Sequence, residues 1–170
     1  MEEIVNRVSK SGLITLDLEQ IQISGDRVAL DIKDWLFHEM ILKEKEFRTY
    51  VKEHDWEQYA GKHVAVFCSA DAIIPVWAFM LIATKLKGIA QTVVAGSLEE
   101  LEKRLIIKAL ESLNTEDYRD AKVVVKGCGN LPERDFVYTE ITARLVPVVG
   151  SLMYGEPCST VPVYKAPRKR

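Results

Sequence analysis

The sequence predicts an α/β fold class: a three-layer domain with a short parallel sheet, read as βαβαβα from residue 62, plus an N-terminal β-hairpin and helices. Three observations predict it. Valine-rich runs at His63–Phe67, Thr92–Ala95 and Lys122–Lys126 alternate with helical stretches long enough for parallel crossovers. Before Trp35 the apolar residues instead recur with a period of two. Finally, 170 residues that are 48% hydrophobic and 28% charged suffice for a core that needs no disulfide framework.

Each element has its own reason. Ile14, Leu16 and Leu18 share one face, as do Val28, Leu30 and Ile32, and Ser24-Gly25-Asp26 between them reads as a hairpin turn. From Trp35 to Trp56 the pattern is helical, with Phe47, Tyr50, Val51 and His54 as the inner stripe. The apolar run Ala72–Ala83, interrupted by Pro75, belongs to a helix expected over Ala72–Leu86; it is too short for the roughly 20 residues of a membrane span. Ser97 and Glu100 form a capping box for a helix carrying Leu98, Leu101, Leu105 and Leu113. A last helix is expected over Phe136–Leu152, kinked or divided by Pro147. The whole, 1–170, reads as one domain: hairpin and helical decoration over 1–60, an α/β core over 61–164, and a basic tail over 165–170.

Charge and termini narrow the function. With 23 Lys+Arg against 25 Asp+Glu the net charge is −2, which argues against a nucleic-acid partner. Met1-Glu2-Glu3 has neither the basic nor the apolar region of an export signal, so a cytoplasmic setting with reduced thiols is expected. Gly127-x-Gly129 is followed by Asn130-Leu131-Pro132, which fits neither a dinucleotide fingerprint nor a P-loop. His38, His54 and His63 are scattered and read as surface or capping residues; Trp35, Trp56 and Trp77 read as core anchors.

The chemistry is expected at the three cysteines. Cys68 directly follows the His63–Phe67 run, Cys128 follows the Lys122–Lys126 run between Gly127 and Gly129, and Cys158 lies in the loop Gly155–Thr160. Strands of an open parallel sheet present their carboxyl ends along one edge, where ligands bind. If the chain turns back after Pro147, all three thiols meet there. Three soft thiolates suit zinc or an iron–sulfur cluster with one open position. Helix N-termini expected after Cys68 and at Ser97 favour the thiolate, and Gly127 and Gly129 allow close approach of backbone to a cluster. Asp71 is the nearest fourth ligand, with Glu156 and Ser159 behind it.

Several strings carry a resemblance over nearly the whole chain: Gly12–Leu18, Asp31–Trp35, Cys68–Pro75, Lys126-Gly127-Cys128 and Gly155–Pro162. With these the chain resembles the bacterial domain-of-unknown-function family 2480. That resemblance implies a gene neighbourhood shared with sulfur mobilisation for iron–sulfur assembly, and hence assembly or recipient proteins as partners. The resulting expectation is a non-enzymatic iron–sulfur or metal-binding protein with Cys68, Cys128 and Cys158 as ligands and no membrane association. Its alternatives are a structural zinc adaptor on the same residues, an enzyme with Cys68 as nucleophile, and an interaction module whose cysteines merely fill space.

Overall fold

The computed structural model describes residues 12–127 and 131–167. Among them are seven strands and four α-helices, and the α/β class holds. One sheet has the order β1-β5-β6-β7, with β1 at Leu13–Asp17, β5 at Lys122–Lys126, β6 at Ser151–Glu156 and β7 at Ser159–Lys165. The other has the order β2-β3-β4, with β2 at Arg27–Asp31, β3 at His63–Phe67 and β4 at Thr92–Ala95. Every pairing is parallel except the hairpin β6–β7. The helices are α1 (Glu44–Glu53), α2 (Val76–Leu86), α3 (Leu98–Glu111) and α4 (Arg134–Leu145).

The two early alternating runs are strands, as expected, yet they do not form a hairpin. β1 pairs with β5 and β2 with β3. Alternation reports that one face is buried; it carries no information about the partner. The connection from Leu18 to Asp26 contains a 3-10 turn at Leu18–Gln20, with the Asp17 carboxylate accepting from the Glu19 N–H at 3.1 Å. That makes it longer than the loops of 2–5 residues that close hairpins.

The chain divides into two compact units, with boundaries that differ from the division expected near residue 60. Unit 1 holds the described residues of Met1–Ile23 and Leu105–Arg170, and unit 2 is Ser24–Arg104. The later βαβ pattern could not reveal this, because a crossover looks the same in sequence whichever sheet its strands join.

Unit 2 packs Leu30, Val64 and Val66 of the sheet against Phe47 and Val51 of α1 and against Ala78, Ile82 and Leu86 of α2. Unit 1 packs Leu16, Val123, Val125 and Leu152 against Val137, Ile141 and Leu145, which recur every four residues along α4. Each such side chain contributes about 1.5–3 kcal/mol relative to an exposed one. Trp35 is buried in the unit 2 core, and Trp56 and Trp77 pack half-buried against it.

Three helix boundaries differ from expectation. The helix read from Trp35 is shorter, since α1 starts only at Glu44, after a turn in which His38 and Glu39 have φ of 52° and 56°. α2 starts at Val76 rather than Ala72, because Pro75 disfavours helix in the residue before it and itself takes an extended cap conformation. α4 stops at Leu145, shortly before Pro147, and the residues expected to continue it build the β6–β7 hairpin. The capping box at α3 is present: Ser97 N–H donates to Glu100 Oε2 at 2.7 Å, and Glu100 N–H donates to Ser97 Oγ at 3.3 Å.

The histidines divide. His38 is exposed, but His63 is 1% exposed in the central strand of unit 2, against the surface role expected of it. Its Nε2–H donates to the Ser24 carbonyl at 3.0 Å. Gly25 is required opposite: its φ is +119°, and a Cβ there would stand 3.0 Å from His63 Nε2.

His54 ends α1 and sits half-buried among Trp35, Trp56 and Tyr59, its Nε2 2.9 Å from Tyr59 Oη. Burial lowers its pKa below the usual 6.5, outweighing the opposing charge of Asp55. The neutral ring is therefore favoured in the folded chain. The stability it confers is complete above pH 6.5 and is lost as pH falls from there through the lowered folded value. Melting temperatures measured from pH 7.5 to 5 should decline, and the His54→Gln variant should show a flatter profile over the same range.

Candidate functional site

The carboxyl edge of the unit 2 sheet is organised by Asp31, the last residue of β2. Its Oδ1 accepts from Lys33 N–H and Ser69 N–H, both at 3.0 Å, and its Oδ2 accepts from Ser69 Oγ–H at 2.5 Å. Burial alone would raise the carboxyl pKa, but the Ser69 and Lys33 hydrogen bonds and the Lys33 charge outweigh it and hold it below 3.8. The carboxylate thus ties the end of β2 to the loop that follows β3.

Cys68 opens that loop, immediately after Phe67. It is half-buried against the unit 2 core, and its thiol donates to the Ala70 carbonyl at 3.8 Å. Asp71 is exposed and lines a shallow cavity of about 390 Å³ with Met40, Ile41 and Ile73. One expectation falls here: no helix starts directly after Cys68, because α2 begins at Val76 with Pro75 at its cap. The field of a helix terminus fades within its first turn, so α2 does not activate Cys68.

At the carboxyl edge of the unit 1 sheet, β1, β5 and β6 end side by side. Asp17 and Lys126 form an ion pair there at 3.3 Å. Gly127 follows β5, and its carbonyl accepts from Tyr138 Oη–H at 3.2 Å. A Cβ on Gly127 would lie 3.1 Å from that hydroxyl, so the close contact depends on the glycine. Gly127 lines a cavity of about 220 Å³ together with Gly155 and Glu156 at the end of β6.

The turn beyond Glu156 consists of Pro157 and Cys158, and Ser159 pairs back opposite Glu156 as the first residue of β7. Cys158 is exposed at this tip, and Ser159 is exposed beside it. Gly155 makes the turn possible with φ of +116°. Cys158 was expected in an irregular loop. A hairpin carries it instead, because Leu152, Tyr154, Val161 and Val163 are strand residues.

The structure therefore brings Gly127, Glu156 and the hairpin tip bearing Cys158 and Ser159 to one edge of unit 1. Cys68 and Asp71 belong to the loop of unit 2. Cys128 and Gly129 lie outside the described residues. Among the described residues no group of three or more His, Cys, Asp or Glu is arranged to hold a metal ion.

Sequence reasoning passed over Asp31, Arg134, Tyr138 and Tyr154. Arg134 donates to Tyr154 Oη at 2.6 Å, and the Tyr138 and Tyr154 rings meet edge to face at 5.2 Å. The spacing of Arg134 and Tyr138, four residues apart on the first turns of a helix after a glycine-rich stretch, was the available signal.

Parallel strands whose carboxyl ends lead into cysteine-bearing segments define the chain as an α/β protein with thiols at its sheet edges. No helix among the described residues is long and apolar enough to cross a membrane. The chain belongs to the family described as Protein of unknown function (DUF2480), whose model matches residues 2–166. No curated protein and no solved structure matches it.

Proposed function

We propose that the chain is a cytoplasmic iron–sulfur cluster or metal-binding protein that uses cysteine thiolates as ligands, and that it works with iron–sulfur assembly or recipient proteins. One observation supports this most. Gly127, which directly precedes Cys128, lines the same cavity as Gly155 and Glu156, which directly precede Pro157 and Cys158. Two adjacent parallel strands thus end at the same edge of one sheet, and in the sequence each is followed two residues later by a cysteine.

The donor chemistry fits the group. Thiolates are the preferred ligands of clusters and of zinc, and an exposed thiol on a two-residue turn is accessible to an incoming ion. Lys126 and Arg134, which line the same cavity, would offset part of the negative charge that a thiolate-bound cluster brings. A partner's side chain is the candidate for an open position. Such an open position suits a cluster that is handed on.

Anaerobic reconstitution with ferrous iron and sulfide tests this reading. The wild-type chain is expected to gain visible absorbance and to bind iron and sulfide. The Cys128→Ser and Cys158→Ser variants should each retain less than a fifth of that loading. Cys68→Ser, measured in parallel, shows whether Cys68 is a ligand. A colourless wild type, or serine variants that load as well as wild type, would overturn the proposal. About one equivalent of zinc bound without sulfide would replace the cluster with a structural ion.

A further inference from the structure

We infer that the larger cavity of unit 1 is a binding site for a zwitterionic α-amino acid with an apolar side chain. The cavity measures about 570 Å³, within the range typical of small-molecule sites. It lies where α4, β6 and β7 come together, and it shares Arg134, Tyr138 and Tyr154 with the cavity beside Gly127.

Its lining has two characters. The apolar part is made by Val125, Leu152, Met153 and Val163, of which Val125 and Leu152 are core residues. The charged part comes from the first two residues of α4, Arg134 and Asp135. Arg134 uses one N–H on Tyr154 Oη and lies 6.0 Å from the Tyr138 ring. Its guanidinium makes no ion pair among the described residues, and neither does the Asp135 carboxylate. Neighbours in a helix sequence do not face each other, so the two charges do not cancel one another.

One free cation and one free anion beside an apolar surface match the two charges of an amino acid. The ligand carboxylate is received by the guanidinium fork, which binds such groups through paired N–H donors. The ligand ammonium is received by Asp135. Thr139 and Thr142, which also line the cavity, already donate to the carbonyls of Asp135 and Tyr138, both at 2.7 Å. Their hydroxyls retain acceptor capacity only, which again suits an ammonium. A simple carboxylate would leave Asp135 unmatched, and a simple amine would leave Arg134 unmatched.

Calorimetric titration of the full chain tests the assignment. The probes are L-leucine and L-phenylalanine, with 4-methylpentanoate lacking the ammonium, isopentylamine lacking the carboxylate, and glycine lacking the side chain. At least one of the two apolar amino acids should bind, and each truncated probe should bind at least tenfold more weakly. Arg134→Gln and Asp135→Asn should each weaken the amino acid at least tenfold. Arg134→Gln should also no longer distinguish leucine from isopentylamine, a result that a merely structural effect would not produce. Circular dichroism checks that each variant is folded, and Arg134→Lys, which keeps the charge, should retain part of the affinity. Absence of binding by both apolar amino acids overturns the inference. So does equal binding of leucine and its truncated analogues.

Discussion

Replacing Asp31 with alanine should destabilise the chain by about 2 kcal/mol at pH 7 and expose Cys68 to chemical attack. The side chain accepts three hydrogen bonds, from Lys33 N–H, Ser69 N–H and Ser69 Oγ–H. Hydrogen bonds to a charged group contribute roughly 1.5–3 kcal/mol each when well shielded. Here the site is partly open to water and the three bonds act as one unit, so the total falls near the value of a single shielded bond. Urea denaturation followed by tryptophan fluorescence is the appropriate measurement, since Trp35, Trp56 and Trp77 all belong to unit 2.

The pH dependence follows from the direction of the shift. The Asp31 carboxyl has its folded pKa below 3.8, so its stabilisation is complete above that value and is lost as pH falls from 3.8 through the folded pKa. The wild-type and Asp31→Ala curves should therefore converge in acid. Ser69 directly follows Cys68, so freeing its backbone loosens the Cys68 segment. The rate of Cys68 alkylation should rise in Asp31→Ala and rise less in Ser69→Ala, which keeps the Ser69 N–H bond. Unchanged stability and unchanged alkylation in Asp31→Ala would show that the carboxylate does not hold this loop.

The contrast between Asp31 and the cysteines shows what the sequence could express. The three strands in the middle of the chain were legible to the residue, because valine-rich runs between turn signals have few other readings. Their partners were not. β1 joining β5 across an inserted unit is a long-range event that neither period nor propensity encodes. Apolar composition continues through Ala72–Ile74 and so extends the helical pattern backwards, whereas Pro75 marks the start of α2. The hairpin carrying Cys158 was hidden by α4's own periodicity, which was extended past Pro147. Cys68 lies beyond the end of β3 as its sequence context predicts, but the residues that shape the surroundings of Cys68 and Cys158 carry no such signal. Asp31 and Tyr138 act through backbone groups of Ser69 and Gly127, and contacts of that kind leave no motif.

Gly150→Ala should be the more damaging of two small substitutions, costing about 3 kcal/mol. A Cβ at Gly150 would stand 2.5 Å from the Asp120 carbonyl oxygen, 3.1 Å from its carbon and 3.4 Å from the Ala121 carbonyl oxygen. All three atoms are backbone, so no side chain can swing aside. The same stretch is tied by Gly150 N–H to Ala121 O at 2.8 Å and Asp120 N–H to Val148 O at 2.9 Å. Relieving the clash therefore means moving the start of β6 away from the start of β5, at the cost of these bonds and of the packing of Leu152. Overpacking of this kind costs roughly 1–3 kcal/mol, and the rigid surroundings place this site at the upper end. Gly61→Ala is the control. Nothing lies within 4 Å of its added Cβ, and only the left-handed φ of +70° opposes it. Its cost should be about 1 kcal/mol, the usual penalty for a side chain in that conformation. Hydrogen exchange separates the two mechanisms: Gly150→Ala should speed exchange at the amides of Val123, Val124 and Val125, whereas strain confined to one turn at Gly61 leaves them protected. Equal effects of the two substitutions would mean that the β5–β6 end can shift freely, and that the alignment of Gly127 with Gly155 and Glu156 is not fixed by the fold.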